Sequence, residues 1–242
     1  MAQGQNVLYQ VSLLQGLTNG DYYGSVTIAE LKRHGDAGIG TFDALNGEMI
    51  LLDGAVYRAA SDGRIEAVSD AETTPFSVAA FMRADATKRF AEIPDVDALY
   101  NELNHMVEAR GKNRFYMVRI DGLFREMHVR SVSAQKEPYK RLTEALACDQ
   151  TLFDYEDIEG TMVGLYCPGY MSFLNAVGWH FHFITKDKTR GGHVLGLQIA
   201  DAVSTWTDID AFELRLPQNE MFSGFDLSID QSKDIEKVEK NK

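Results

Sequence analysis

Two cysteines in 242 residues, Cys148 and Cys167, are too few for a disulfide framework. They read as reduced thiols, which points to a cytoplasmic protein. The N-terminal stretch MAQGQNVLYQVSLLQGL has no basic n-region and no long apolar core, so no signal peptide is expected. Basic residues are also scarce. There are 24 Lys and Arg against 36 Asp and Glu, a formal net charge of −12. That balance excludes a nucleic-acid footprint, which needs clustered positive charge. It also means that an anionic substrate can be attracted only by local positive charge. Residues 161–185 carry no Asp, Glu, Lys or Arg, long enough on paper for a membrane span. Pro168-Gly169, Asn175 and two histidines within it argue instead for buried strands, so no membrane partner is expected. The chain shows no short-period repeat, phosphate-binding P-loop or nucleophile elbow. Gly38-Ile39-Gly40 lacks the third glycine of a dinucleotide fingerprint and precedes a strand.

What the chain does have is three histidines within fourteen residues, in GWHFHFITKDKTRGGHV. Strand side chains alternate faces, so His180 and His182 point the same way. Trp179, Phe181 and Phe183 form the opposite, wholly apolar face. KDKTRGG reads as a hairpin loop. An antiparallel return then puts His193 opposite His180 or His182, on their face. Three imidazoles with no fourth protein ligand nearby is the pattern of a catalytic zinc site with an open position. His34, His105 and His128 read as structural or exposed.

The organisation around this hairpin is α+β. A short helix is expected over Ser25–Gly35, with Thr27 and Glu30 as a capping box. Asn46-Gly47, Asp53-Gly54 and Asp62-Gly63 separate apolar runs, the signal of consecutive antiparallel strands over residues 38–68. Val96, Leu99, Leu103, Met106 and Val107 repeat at helical period between Pro94 and Gly111. Asp121-Gly122 predicts a hairpin turn between FYMVRI and LFREMHVRSV. A second helix is expected over residues 138–148. Strands then resume from about residue 152 to FELRLP, and a charged tail follows that is either helical or loose. A boundary near residue 112 would divide the chain into an N-terminal part, 1–112, carrying the meander, and a C-terminal part, 113–242, carrying the histidine hairpin.

The stretch HGDAGIGTFDALNGEMILLDG, together with GWHFHFI and GGH, resembles the α-acetolactate decarboxylase family. The resemblance extends over nearly the whole chain, including FYMVRIDGLFREMHVRSV and the tail. It implies decarboxylation of 2-acetolactate to acetoin and CO₂, with zinc on His180, His182 and His193. It implies roles for Thr41 and Glu48, seven residues apart in the GTF…GE motif. It further implies an arginine, matched by Arg130 with Arg125 and Arg119 close by. A C-terminal glutamate that closes over the site falls at Glu239, with Glu236 as the alternative. Two packed α/β sub-domains with mixed and antiparallel sheets, and a homodimer, are implied too.

The chemistry needs such groups. Loss of CO₂ from a 3-oxo acid leaves an enediolate, whose charge requires an electrophile. Arg130 suits the substrate carboxylate. Glu48 is the candidate general acid that protonates the carbon, Glu239 the second, and Thr41 could bond substrate or orient Glu48. Rival readings are another three-histidine metalloenzyme, of hydratase or cupin type, and a non-catalytic metal- or ligand-binding protein.

Overall fold

The computed structural model describes residues 6–229 and 231–239. The chain opens with strand β1 (Val7–Val11), helix α1 (Leu14–Thr18), strand β2 (Val26–Thr27) and helix α2 (Ile28–Leu31). The meander follows as β3 (Ala37–Thr41), β4 (Glu48–Leu52), β5 (Ala55–Ala59) and β6 (Ile65–Ala67). Then come β7 (Thr73–Thr74), β8 (Ser77–Ala80), β9 (Ala86–Ile93) and helix α3 (Val96–Arg110). The second half holds β10 (Phe115–Val132), α4 (Leu142–Asp149), β11 (Gln150–Cys167), β12 (Gly178–Thr185), β13 (Gly191–Ile209) and β14 (Ala211–Arg215). Two helices, α5 (Glu220–Gly224) and α6 (Ser232–Glu239), end it.

Local signals explain much of this. The Thr27 hydroxyl caps α2 by accepting from the Glu30 N–H. The helix starts later than the sequence predicts, because Val26 and Thr27 just before it pair as β2 with Thr74 and Thr73. Asp53 and Gly54 both have positive φ, 52° and 75°, which suits a two-residue hairpin between β4 and β5. Asp95 caps α3 through the Ala98 N–H, and Gly111 follows its end. Leu99, Leu103 and Val107 lie on one face of α3 and are buried. Each contributes up to roughly 1.5–3 kcal/mol by leaving water.

One turn prediction fails. Asp121-Gly122 is not a hairpin; β10 runs straight through it, paired with β11 as Asp121↔Thr161 and Gly122↔Gly160. A Cβ on Gly122 would stand 2.3 Å from the Asp201 carbonyl oxygen of β13. The glycine therefore serves close strand approach rather than a turn. Arg130 consequently lies farther along the same strand as FYMVRI, not on a returning one.

The fold is α+β with a mixed seven-stranded sheet, in order β14-β1-β8-β3-β4-β5-β6, and a five-stranded sheet, β10-β11-β12-β13-β9. Among the described residues only β1 and β14 pair in parallel. The sheets exchange elements across residue 112, since β9 joins the second sheet and β14 returns to the first. In the second sheet β10 pairs with both β11 and β13, and β12 pairs with the same two strands, so the ladder closes on itself. Ile39, Ile50 and Val78 of the first sheet pack on Met117, Val163 and Ile184 of the second. An aromatic core with Phe181, Phe183 and Trp206 lies between the second sheet and α3. Helices α1, α4 and α6 share a smaller cluster at one end. No described helix is long and apolar enough to cross a membrane.

Candidate metal centre and active site

Alternation along β12 divides its side chains between two layers. Trp179, Phe181 and Phe183 enter the aromatic core, while Ile184 faces the seven-stranded sheet. His180 and His182 share the parity of Ile184, so they project between the two sheets. His182 pairs directly with His193 across the β12–β13 hairpin. Next to His193, Gly192 has φ 155°, and a Cβ there would stand 2.5 Å from the Arg130 carbonyl oxygen. Only glycine lets the hairpin come this close to β10.

The three imidazoles converge. His180 Nε2 lies 3.1 Å from both His182 Nε2 and His193 Nδ1. All three ligand nitrogens lie within 4.8 Å of one another, and all three residues are buried. His182 Nδ1 stands 2.7 Å from the Met49 carbonyl oxygen, which can only accept. Nδ1 therefore carries the proton and Nε2 offers its lone pair to the cluster. Burial, reinforced by the Arg130 charge, pushes His180 down to about 3. His182 is lowered too, by burial first and then by His180 and Arg130. Imidazoles that converge with His180 and His182 held neutral suit a cation. Zn–N bonds of roughly 2.0–2.1 Å at tetrahedral angles set ligand nitrogens roughly 3.3 Å apart. The two 3.1 Å separations at His180 Nε2 are close to that spacing.

The polar wall continues onto neighbouring strands. Glu48 is buried at the start of β4, its Oε2 3.6 Å from His182 Nε2. Thr41 at the end of β3 is its register partner. The buried Thr41 hydroxyl donates to the Gly47 carbonyl at 2.8 Å, closing the loop between them. Its lone pairs remain as acceptors. Arg130 on β10 pairs with His193 on β13 and is 4% exposed. Its Nε and Nη1 are buried without a hydrogen-bond partner. A buried guanidinium with open donors is costly unless an anion joins it. Arg119 and Arg125 lie elsewhere: Arg119 is bound to Asp53 and Asp121, and Arg125 to Glu92.

These six side chains line a cavity of about 40 Å³. Its other wall is apolar, formed by Leu14, Leu17, Leu45, Phe76 and Leu142. This wall and the Met49 carbonyl leave little mark in the sequence, because both are brought in by long-range packing. One local signal was present at Leu45, in an Asn-Gly turn that proves longer than two residues. Ala44 and Leu45 adopt φ 58° and 57°, at roughly 1–2 kcal/mol each for non-glycine residues.

Helix α6 covers the same end of the cavity. Ile235 and Val238 pack in one cluster with Leu14, Leu17 and Leu142. Glu239 is its last residue, and the side chains of Glu236 and Glu239 lie outside the described residues. The remaining histidines stand apart: His34 stacks on Tyr9 and meets Glu30, His128 meets Asp154, and His105 is exposed.

Comparison with known proteins bears on this arrangement. Residues 8–229 match the family model described as alpha-acetolactate decarboxylase. A Methanosarcina mazei protein of that name is 39% identical over 97% of this chain and 81% of its own length. A Bacillus subtilis protein of that name is 36% identical over 96% of this chain and 90% of its own. The crystal structure of alpha-acetolactate decarboxylase from Bacillus subtilis strain 168 superposes with a TM-score of 0.93 at 35% identity. That match covers 97% of this chain and all of the other.

Proposed function

Since the chain belongs to the alpha-acetolactate decarboxylase family and is thus a carboxy-lyase, we propose that it converts 2-acetolactate to acetoin and CO₂ by a zinc-dependent route through His180, His182 and His193. The observation that carries this reading is the buried Arg130, with Nε and Nη1 open, beside three converging imidazoles in one small cavity. A carboxylate-bearing substrate satisfies the arginine, and an ion satisfies the imidazoles. A hydratase acting on a neutral substrate would leave the arginine unexplained.

Bound by the three imidazoles, zinc would supply Lewis acidity to the adjacent ketone and hydroxyl oxygens of the substrate, where negative charge collects. The chain's own residues do the rest. Arg130 anchors the carboxylate and fixes which carbon–carbon bond breaks. That bond releases neutral CO₂, and its electron pair remains as an enediolate. Glu48 then delivers a proton to the carbon, on the one face it can reach, so acetoin leaves with one handedness. Thr41 holds the loop that carries Glu48 in register and accepts a hydrogen bond from the substrate hydroxyl. The apolar wall and α6 keep water from competing for the carbanionic centre. Glu239, at the end of α6, is the second candidate for proton delivery, with Glu236 as its alternative.

The homodimer and the reading of the two sheets as packed sub-domains rest on the family resemblance, and the cytoplasmic location on the two free cysteines. Light scattering on the purified chain tests the dimer. The decisive test of function is acetoin formation from racemic acetolactate, before and after chelation, with zinc added back. Turnover that chelation removes and zinc restores supports both reaction and ion. No turnover from folded, zinc-loaded protein would reject the assignment.

A further inference from the structure

We propose that Leu45 is the specificity-determining residue of this site, setting the size of the alkyl group that a 2-hydroxy-3-oxo acid can carry; the inference rests on the decarboxylase reading above. The cavity has one polar and one apolar wall. A substrate whose carboxylate meets Arg130 and whose two oxygens face the imidazoles has only alkyl groups left. Those must turn to the apolar wall. Four of its five residues sit on conventional supports: Leu14 and Leu17 on α1, Leu142 on α4, and Phe76 just before β8. A helix can shift a little to admit a larger group.

Leu45 cannot. It is buried, and it follows Ala44 in a second successive left-handed conformation. Non-glycine residues rarely adopt that conformation, and such strain persists only where its surroundings over-determine it. Here they do. Ala44 N–H donates to the Tyr22 carbonyl at 2.8 Å, and the Ala44 carbonyl accepts from Gln135 N–H at 2.7 Å. Gly24 N–H donates to the Asp43 carboxylate at 2.7 Å. Gly47 N–H donates to the Val132 carbonyl at 3.1 Å, and the Gly47 carbonyl accepts from Thr41. The loop is thus tied to residues 22–24, to residues 132–135 and, through Thr41, back to its own start, while holding one leucine in the cavity wall. The same loop joins Thr41 to Glu48, so a leucine that yielded to a bulky group would also displace the acid.

The test compares kcat/KM for 2-acetolactate with that for its 2-ethyl homologue, 2-aceto-2-hydroxybutyrate. One extra methylene against a rigid apolar wall is discriminated by roughly 10–200-fold. Leu45→Ala should raise the ethyl-to-methyl ratio by about tenfold or more, and Leu45→Val in the same direction by less. Leu142→Ala, on the helical part of the wall, should move it less than Leu45→Ala does. A second readout is independent of turnover. The 2-methyl and 2-ethyl 2,3-dihydroxybutanoates, which have no ketone and cannot decarboxylate, should show the same shift in relative Kd by calorimetry. An unchanged ratio in both Leu45 variants, or an equal rise in Leu142→Ala, overturns the proposal. If the unaltered protein turns over neither keto acid, it is the decarboxylase reading that fails instead.

Discussion

Replacing Arg130 by methionine should make the protein more stable and nearly inactive. The guanidinium is 4% exposed, and two of its nitrogens have no partner. Each buried, unpaired donor costs about 1–3 kcal/mol. Methionine keeps an unbranched stem, removes both donors and the charge, and leaves only a small gap to repack. A net gain of about 2 kcal/mol is expected, or about 4–8 °C in Tm for a domain of this size. Zinc retention should be unchanged or tighter, because the Arg130 charge opposes positive charge on His180 and His182. Activity should move the other way. Hydrogen bonds to a charged group are worth about 1.5–3 kcal/mol each, so losing two lowers kcat/KM by roughly 10²–10⁴. Differential scanning fluorimetry, chelator competition and an acetoin assay read the three quantities. A Tm that falls by several degrees would mean that Arg130 is a structural ion, and the reasoning from its open donors would be wrong.

Three further outcomes follow from the geometry. His182→Ala removes a ligand nitrogen and leaves the Met49 carbonyl without its donor; zinc content and acetoin formation should disappear together, and full activity without metal would exclude the metal route. Glu48→Gln should keep its zinc while turnover drops roughly 10²–10⁴-fold; a near-normal rate would move the acid elsewhere, with the end of α6 the next place to look. Deleting residues 232–242 should slow turnover without unfolding the chain, since α6 contributes Ile235 and Val238 to one cluster only; circular dichroism of a collapsed fold would contradict this.

The three-histidine hairpin could be read from sequence because everything it needs is local. Strand parity fixes the face of His180 and His182, and a short loop fixes His193. The meander was readable for the same reason, through Asp53-Gly54 and Asp62-Gly63. Asp121-Gly122 misled because a dipeptide that favours turns also suits a strand pressed between two neighbours. Which one it is depends on β13, some eighty residues away. Helix α2 starts late because residues 25–28 spend backbone hydrogen bonds on residues 72–74. No periodicity announces that β14 returns to β1 or that β9 joins the second sheet. Arg130 comes from the family resemblance; that Arg119 and Arg125 are instead engaged by acidic neighbours could not be read from sequence.

The ligand nitrogens all come from one hairpin, whereas Glu48, Thr41 and Arg130 arrive on separate strands. Cooperative units of a protein open at different free energies, and they often coincide with supersecondary motifs. The hairpin, with Arg130 paired beside it on β10, can hold an ion after the seven-stranded sheet has drawn away, but Glu48 and Thr41, which ride on that sheet, cannot stay in place. Heat or denaturant should therefore silence the enzyme well before the ion escapes. Inactivated protein would still carry a full complement of metal, and cooling would restore activity without any being supplied. Storage life and metal content would then be separate properties of this chain.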